Sequence, residues 1–271
     1  MLHPWQLALE PEWILALVVF GLDYALVTWT LERRGEVVPR WRRASFSAGL
    51  ALIAVALLSP IEHLALTSML SFHLLQNVLI ADWAPPLILL GLTPVMVAAI
   101  ARRPGVTTCV RPTVAFLIWA ATWYVIHIPV IYDYALNHRA VLGLEHIAFI
   151  LSGLIFWWPD LIGTALSPRG RVIYLFAAMV VMMPLDFFIA LHDTPLYSFY
   201  LHTPKIGDIS ALADQRIAGA TAAVMETVVL SVAMFVAAAR LVQDERGVPP
   251  ALRPAGSTVE TGTPARGRNA S

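Results

Sequence analysis

His73, His127 and His146, together with Met179, Met182 and Met183, are the side chains in this sequence best suited to hold a metal ion. Imidazole is the commonest metal ligand and also carries protons, and imidazole with thioether is a donor set that Cu(I) favours. Met69, His73, Gln76 and Asn77 stand at i, i+4, i+7 and i+8, so a helix would place them on one face. His127 lies two residues before Pro129, and Glu145 and His146 open a further apolar run. A single histidine at such a place is adequately explained by a helix end or by the lipid headgroup layer. Three at similar depth on three helices, in segments where ionisable groups are rare and costly, read as a shared site.

A second face carries Met179, Met182, Met183 and Asp186 at i, i+3, i+4 and i+7. Methionine is also a flexible core filler, so spacing alone leaves both readings open; Asp186 beside Pro184 is not needed for packing. Further on, Gln215, Gly219, Ala222 and Glu226 align on one face, with Asp214 at its mouth. Asp23 and Asp82 fall inside apolar runs with no deep Lys or Arg to pair with, which predicts that they are protonated and hydrogen-bonded. Gln76, Asn77, Glu145, Asp186, His192, Asp214, Gln215 and Glu226 are therefore expected as supporting or docking groups around the ligands.

The elements that position these residues are membrane spans. Hydrophobic residues make up 58% of the chain and charged ones 13%, with mean hydropathy +0.71; a soluble domain has about 25% charged residues. A crossing helix needs about 20 apolar residues, and candidate runs cover 12–31, 44–59, 67–91, 113–131, 142–162, 171–191 and 215–240. Arg33, Arg34, Arg40, Arg42 and Arg43 place the first loop in the cytoplasm. Seven spans then leave only Arg139, Lys205 and Arg216 on the outer side, whereas splitting the third run at Pro85-Pro86 would strand most later arginines there. The expectation is an all-α, polytopic transmembrane bundle of about seven spans, with the N-terminus outside and the C-terminus cytoplasmic. Residues 1–11 form an outer segment, 12–242 the transmembrane domain and 243–271 a disordered tail rich in Pro, Gly, Thr and Arg.

On that topology all eight histidines, including His3, His63, His138, His192 and His202, fall on the outer side. Pro85-Pro86 reads as a kink, and Gly91 and Pro94 as the lead into a short interfacial helix. Trp5, Trp13, Trp157 and Trp158 match an aromatic belt at the two membrane surfaces. The N-terminus lacks a basic region and a cleavage site, so the first span is expected to stay in the mature protein. Cys109 is the single cysteine, which excludes an internal disulfide and a Cys-x-x-Cys motif. Zero net charge and the absence of a nucleophile–base pair, phosphate loop or basic patch argue against nucleic acid as partner and against an ordinary enzyme.

The chain resembles the CtaG-type cytochrome c oxidase assembly proteins of bacteria. The resemblance runs from about Ser71 to Gly219 through FHLLQN, APPLILLG, HIPVIYDYAL, EHIAFI, FWWPDL, PLYSFY and ADQRIAG, in that order. It departs at His73-Leu74, at Asn77 and at Ala222-Ala223, where relatives tend to carry His-Met, a second histidine and Met-Trp. The resemblance implies a multi-pass factor of the bacterial inner membrane that helps build a haem–copper oxidase, with copper as the metal handled and the copper-containing oxidase subunits as partners. His73, His127 and His146 would be ligands, the methionines a soft path, and no reaction would be catalysed. Two alternatives use the same residues: a haem-handling protein with two histidines as axial ligands, and a proton-coupled transporter relaying through Glu226 and Asp23.

Overall fold

The computed structural model describes residues 6–245, and the expected tail, like His3 and Trp5, lies outside the described residues. The described residues are helical with no strand: α1 Pro11–Arg33, α2 Arg40–Leu58, α3 Pro60–Thr67, α4 Leu70–Val78, a π-helical turn Leu79–Trp83, α5 Ala84–Gly91, α6 Pro94–Ala101, α7 Val106–Cys109, α8 Pro112–Ile126, α9 Pro129–Leu136, α10 Arg139–Leu161, α11 Pro168–Leu191 and α12 Ala211–Glu245. Proline opens α1, α3, α6, α8, α9 and α11. Its fixed φ suits the first helical turn, where its missing N–H has no partner to lose. Six stretches among them are long and apolar enough to cross a membrane; α8 and α9, bent by 75° at their break, count as a seventh when taken as one span.

The bend corrects the expected straight span over 113–131. α8 has 15 residues, which is about 22 Å at 1.5 Å per residue and short of the roughly 30 Å hydrocarbon core. Pro129 forces Ile128 into extended backbone. The helix therefore stops at His127, and the chain turns into α9 instead of continuing. The pair Pro85-Pro86 acts differently: the expected kink is taken up one turn earlier by the π-helical stretch Leu79–Trp83, and α4 through α5 remains one crossing, Leu70–Gly91. The second crossing is longer than the expected run, since α3 continues it to Thr67 after a break at Ser59-Pro60.

That third crossing is the axis of the bundle. Its apolar window is 72% buried, against 17% for α1, which leans on the outside. Small residues allow the close approach: a Cβ on Gly153 of α10 would collide with the Ala81 carbonyl, and one on Gly219 of α12 with the backbone of α11 at Ala190 and Asp186. Trp157 and Trp158, near the end of α10, face into this core rather than outward, and Trp119 stacks on Phe156. This corrects the belt reading for both.

The two ends of the bundle differ. At one, the last carbonyls of α5 are capped by side chains of α1 and α2: Tyr24 donates to Gly91 O (2.9 Å), Ser45 to Leu87 O (2.7 Å), and Arg42 to Leu90 O and Leu92 O. At the other end, residues 192–210 run over the end of α3, the start of α4 and α9. Asp133 accepts from Ser198 N, Ser198 Oγ and Phe199 N (2.7–3.1 Å), and Lys205 donates to the carbonyls of Ser68 (2.6 Å) and Tyr200 (2.8 Å). Every described histidine belongs to this second, covered end.

Candidate functional site

His73 sits in the first turn of α4 and is wholly buried, because the 192–210 segment closes over it. The start of α4 is held from α12: Asp214 accepts from the free N–H groups of Leu70 (2.7 Å) and Ser71 (3.1 Å), which a helix N-terminus leaves unpaired. Burial pulls the Lys205 ammonium below its ordinary pKa, and the Asp214 carboxylate opposes this. Gln215 ties the cover itself, accepting from Leu196 N (2.6 Å) and donating to Thr194 O (3.3 Å). Both residues thus position the site rather than enter it.

Around His73 lie Glu145 and His146 from α10 and Tyr132 from α9. His73 Nε2 is 3.5 Å from Glu145 Oε1; its ring centroid is 6.2 Å from that of His146 and 5.1 Å from that of Tyr132. His127, at the break between α8 and α9, packs on the same tyrosine at 5.4 Å and stacks on Trp123. The structure thus brings the three predicted histidines together round Tyr132 and Glu145.

Hydrogen bonding fixes Nδ1 as the donor nitrogen in two of the rings. Burial pushes the Tyr200 hydroxyl well above its ordinary pKa and the Glu145 carboxylate adds to this, so it keeps its proton. That proton goes to Ala65 O (2.7 Å), a pure acceptor. Nδ1 of His73, 2.9 Å from the same hydroxyl oxygen, must therefore donate to it. His127 Nδ1 faces Trp123 O at 2.8 Å and must donate as well. Both Nε2 atoms are buried and have no hydrogen-bond partner among the described residues; the same is true of both ring nitrogens of His146 and both Glu145 oxygens. An acceptor held on Nδ1–H, with Nε2 turned to the ion, is how metal-binding imidazoles are commonly oriented. Nε2 of His73 facing a carboxylate at 3.5 Å requires a positive charge between them, either a proton on Nε2 or a bound cation.

A cavity of about 210 Å³ leads to this cluster between α1, α3 and α10. Its walls include Glu10, Glu12, Trp13, Glu62, Arg139 and His146, and an ion pair between Arg139 and Glu10 lies across it. Glu62 is a site residue that sequence reasoning missed; it is 2% exposed and accepts from Gln76, which also donates to Ala56 O (2.9 Å). Tyr200 was missed too. Glu62 would have needed knowledge of how α3 turns towards α4, and Tyr200 of which segment folds over α4. Asn77 is fully buried with neither amide atom partnered among the described residues.

The remaining predicted residues lie elsewhere. Met179, Met182, Met183, Asp186 and Glu226 line a separate, smaller cavity between α11 and α12. His192 stays with its own loop, Nδ1 on Thr194 O at 2.8 Å. His138 and His202 are exposed, as expected of loop residues, and His63 is half-buried. Asp82 is hydrogen-bonded as predicted, accepting from Trp119 Nε1 at 3.0 Å. Asp23, expected to be hydrogen-bonded, instead faces away from the bundle on α1. Among the described residues no three His, Cys, Asp or Glu side chains converge closely enough to hold a metal ion.

Residues 22–244 match the family described as cytochrome c oxidase caa3 assembly factor (Caa3_CtaG). Uncharacterized protein Mb0105 of Mycobacterium bovis and Uncharacterized protein MT0111 of Mycobacterium tuberculosis are each 26% identical over 76% of the chain and 34% of their own length. The chain spans about a third of the length of these curated relatives. No solved structure matches. The chain belongs to the caa3 oxidase assembly factor family, a family of assembly factors and not of catalysts.

Proposed function

We propose that this multi-pass member of the caa3 assembly factor family helps to build a haem–copper cytochrome c oxidase by holding copper, as cargo, at its covered histidine end. The observation that carries the reading is the set of unpartnered donors there: Nε2 of His73 and His127, whose rings are oriented through Nδ1, with the ring of His146 and the Glu145 carboxylate. Nitrogen with carboxylate oxygen suits Cu(II), and imidazole also serves Cu(I). The donor chemistry therefore fits. Because the side chains stand apart, loading would draw His73, Glu145 and His146 inward, with His127 joining past Tyr132.

The arginine distribution, read by the positive-inside rule, supports a covered end that faces away from the cytoplasm. In a bacterial inner membrane that is the side on which an oxidase copper centre would be filled. The receiving partners would be the copper-containing oxidase subunits. Ligand exchange would follow the difference in affinity between the two sites, and the ion pair of Arg139 and Glu10 would control access.

The reading is tested by adding Cu(II) to the purified protein and recording its electron paramagnetic resonance. Nitrogen splitting that disappears in the H73A/H127A/H146A variant supports it. A spectrum unchanged by the three substitutions would remove the site. A Soret band on the protein as isolated would select haem handling instead.

A further inference from the structure

The sequence placed the histidines and methionines in one site, but the fold separates them. Met179, Met182, Asp186 and Glu226 line a cavity of about 50 Å³ between α11 and α12, and none of the histidines lines it. Glu226 is 2% exposed and lines this space with both carboxylate oxygens unpartnered among the described residues. The charged groups that bear on it are Asp186 and Asp82, both acids. A buried carboxylate with only acids for company must hold a proton or bind a cation.

The opposite wall decides what kind of cation. Met179, Met182 and Asp186 share one face of α11, and Met182 is buried. Met183 is 47% exposed and lies at the lipid-facing rim. Calcium and magnesium take oxygen ligands, whereas thioethers select soft ions. The cavity has room for one ion and little else.

We infer that this cavity is a second site, separate from the histidine end, which binds one soft monovalent cation of the Cu(I) or Ag(I) class between the methionine sulfurs and the Glu226 and Asp186 carboxyls. Charge balance requires proton exchange: a carboxylic O–H breaks, its oxygen binds the cation, and the proton leaves to solvent, with no change of oxidation state. The inference does not depend on copper binding by the histidines.

Silver(I), which is not redox-active under these conditions, is the probe. It is titrated into the purified full chain in lipid nanodiscs while bound silver and released protons are both counted. The wild type should show a site that releases about one proton per ion, and this site should persist in H73A/H127A/H146A. M182L, which conserves volume, and E226Q, which is isosteric, should each weaken it about 100-fold while thermal unfolding stays near wild type. E226Q should also abolish its proton release. Equal silver affinity in M182L, E226Q and wild type would overturn the inference, with the methionines then serving as packing only. So would loss of the site in the histidine variant, or silver uptake without proton release.

Discussion

The two buried polar clusters of this bundle are held by different means. At the covered end, the groups that frame the histidines are hydrogen-bonded: Asp214 to the start of α4, Asp133 and Gln215 to the 192–210 segment, Tyr200 to both Ala65 and His73; Nε2 of His73 and His127, the His146 ring and the Glu145 carboxylate stay unpartnered among the described residues. In the middle of the membrane region, Asp82 has one indole donor, and Glu226 has no partner among the described residues. There the helices are positioned by close contact of small residues instead. Hydrogen bonds orient imidazoles to within a ring nitrogen, whereas packing fixes only the space. The first arrangement suits a site with defined geometry, and the second a cavity whose ligand is chosen by donor softness and charge.

The contrast can be broken first in the middle. Gly153→Val forces a side chain onto the Ala81 carbonyl, where backbone must move. It should destabilise the protein by about 3 kcal/mol, the upper part of the overpacking range, measured by thermal unfolding in detergent. A loss below 1 kcal/mol, on the order of a tolerated core swap, would mean that packing does not hold the middle. At the covered end, Asp214→Ala strips two N–H groups of their charged acceptor and should cost about 2 kcal/mol. Hydrogen exchange should speed up in the first turn of α4 and leave α10 unchanged; equal speeding throughout would show that the tie is not local.

Tyr200→Phe sharpens the point about orientation. It removes the hydroxyl that fixes the His73 tautomer and should weaken Cu(II) binding about 10-fold, the lower figure for loss of an outer partner. Stability should fall by only about 1 kcal/mol. Unchanged copper affinity would separate the tautomer from binding. Trp119→Phe is the smallest change: Asp82 loses its donor, for about 1 kcal/mol, and copper affinity at the histidine end should not move.

What was legible in the sequence follows from what periodicity and charge encode. Apolar run lengths and arginine placement were enough for an all-helical bundle of about seven crossings, and Pro94 marked the short helix after the third. Helical spacing correctly grouped Met179, Met182 and Asp186 on one face. Spacing cannot say which neighbour a face meets, and so one expected site became two. Pro129 announced a break but not its 75° turn. Trp157 and Trp158 suit a membrane surface and a core equally well by composition; only the neighbouring Gly153, which lets α10 lie against α4–α5, explains why they are inside. Glu62 stands on α3, just before α4, and Tyr200 closes the PLYSFY motif far from His73 in sequence, but no helical spacing tells that either one faces the site.

The central claim is that the oriented histidines at the covered end bind copper, and elemental analysis of protein loaded with Cu(II) and then desalted tests it most directly. Cu(II) favours nitrogen and oxygen donors over thioether; because the methionine cavity also offers the carboxyls of Asp186 and Glu226, E226Q is loaded in parallel and should keep the wild-type ratio. The account predicts a defined copper-to-protein ratio in the wild type and in M182L, and background copper in a folded H73A/H127A/H146A variant. Background copper in the wild type, or a wild-type ratio in the histidine variant, would contradict it.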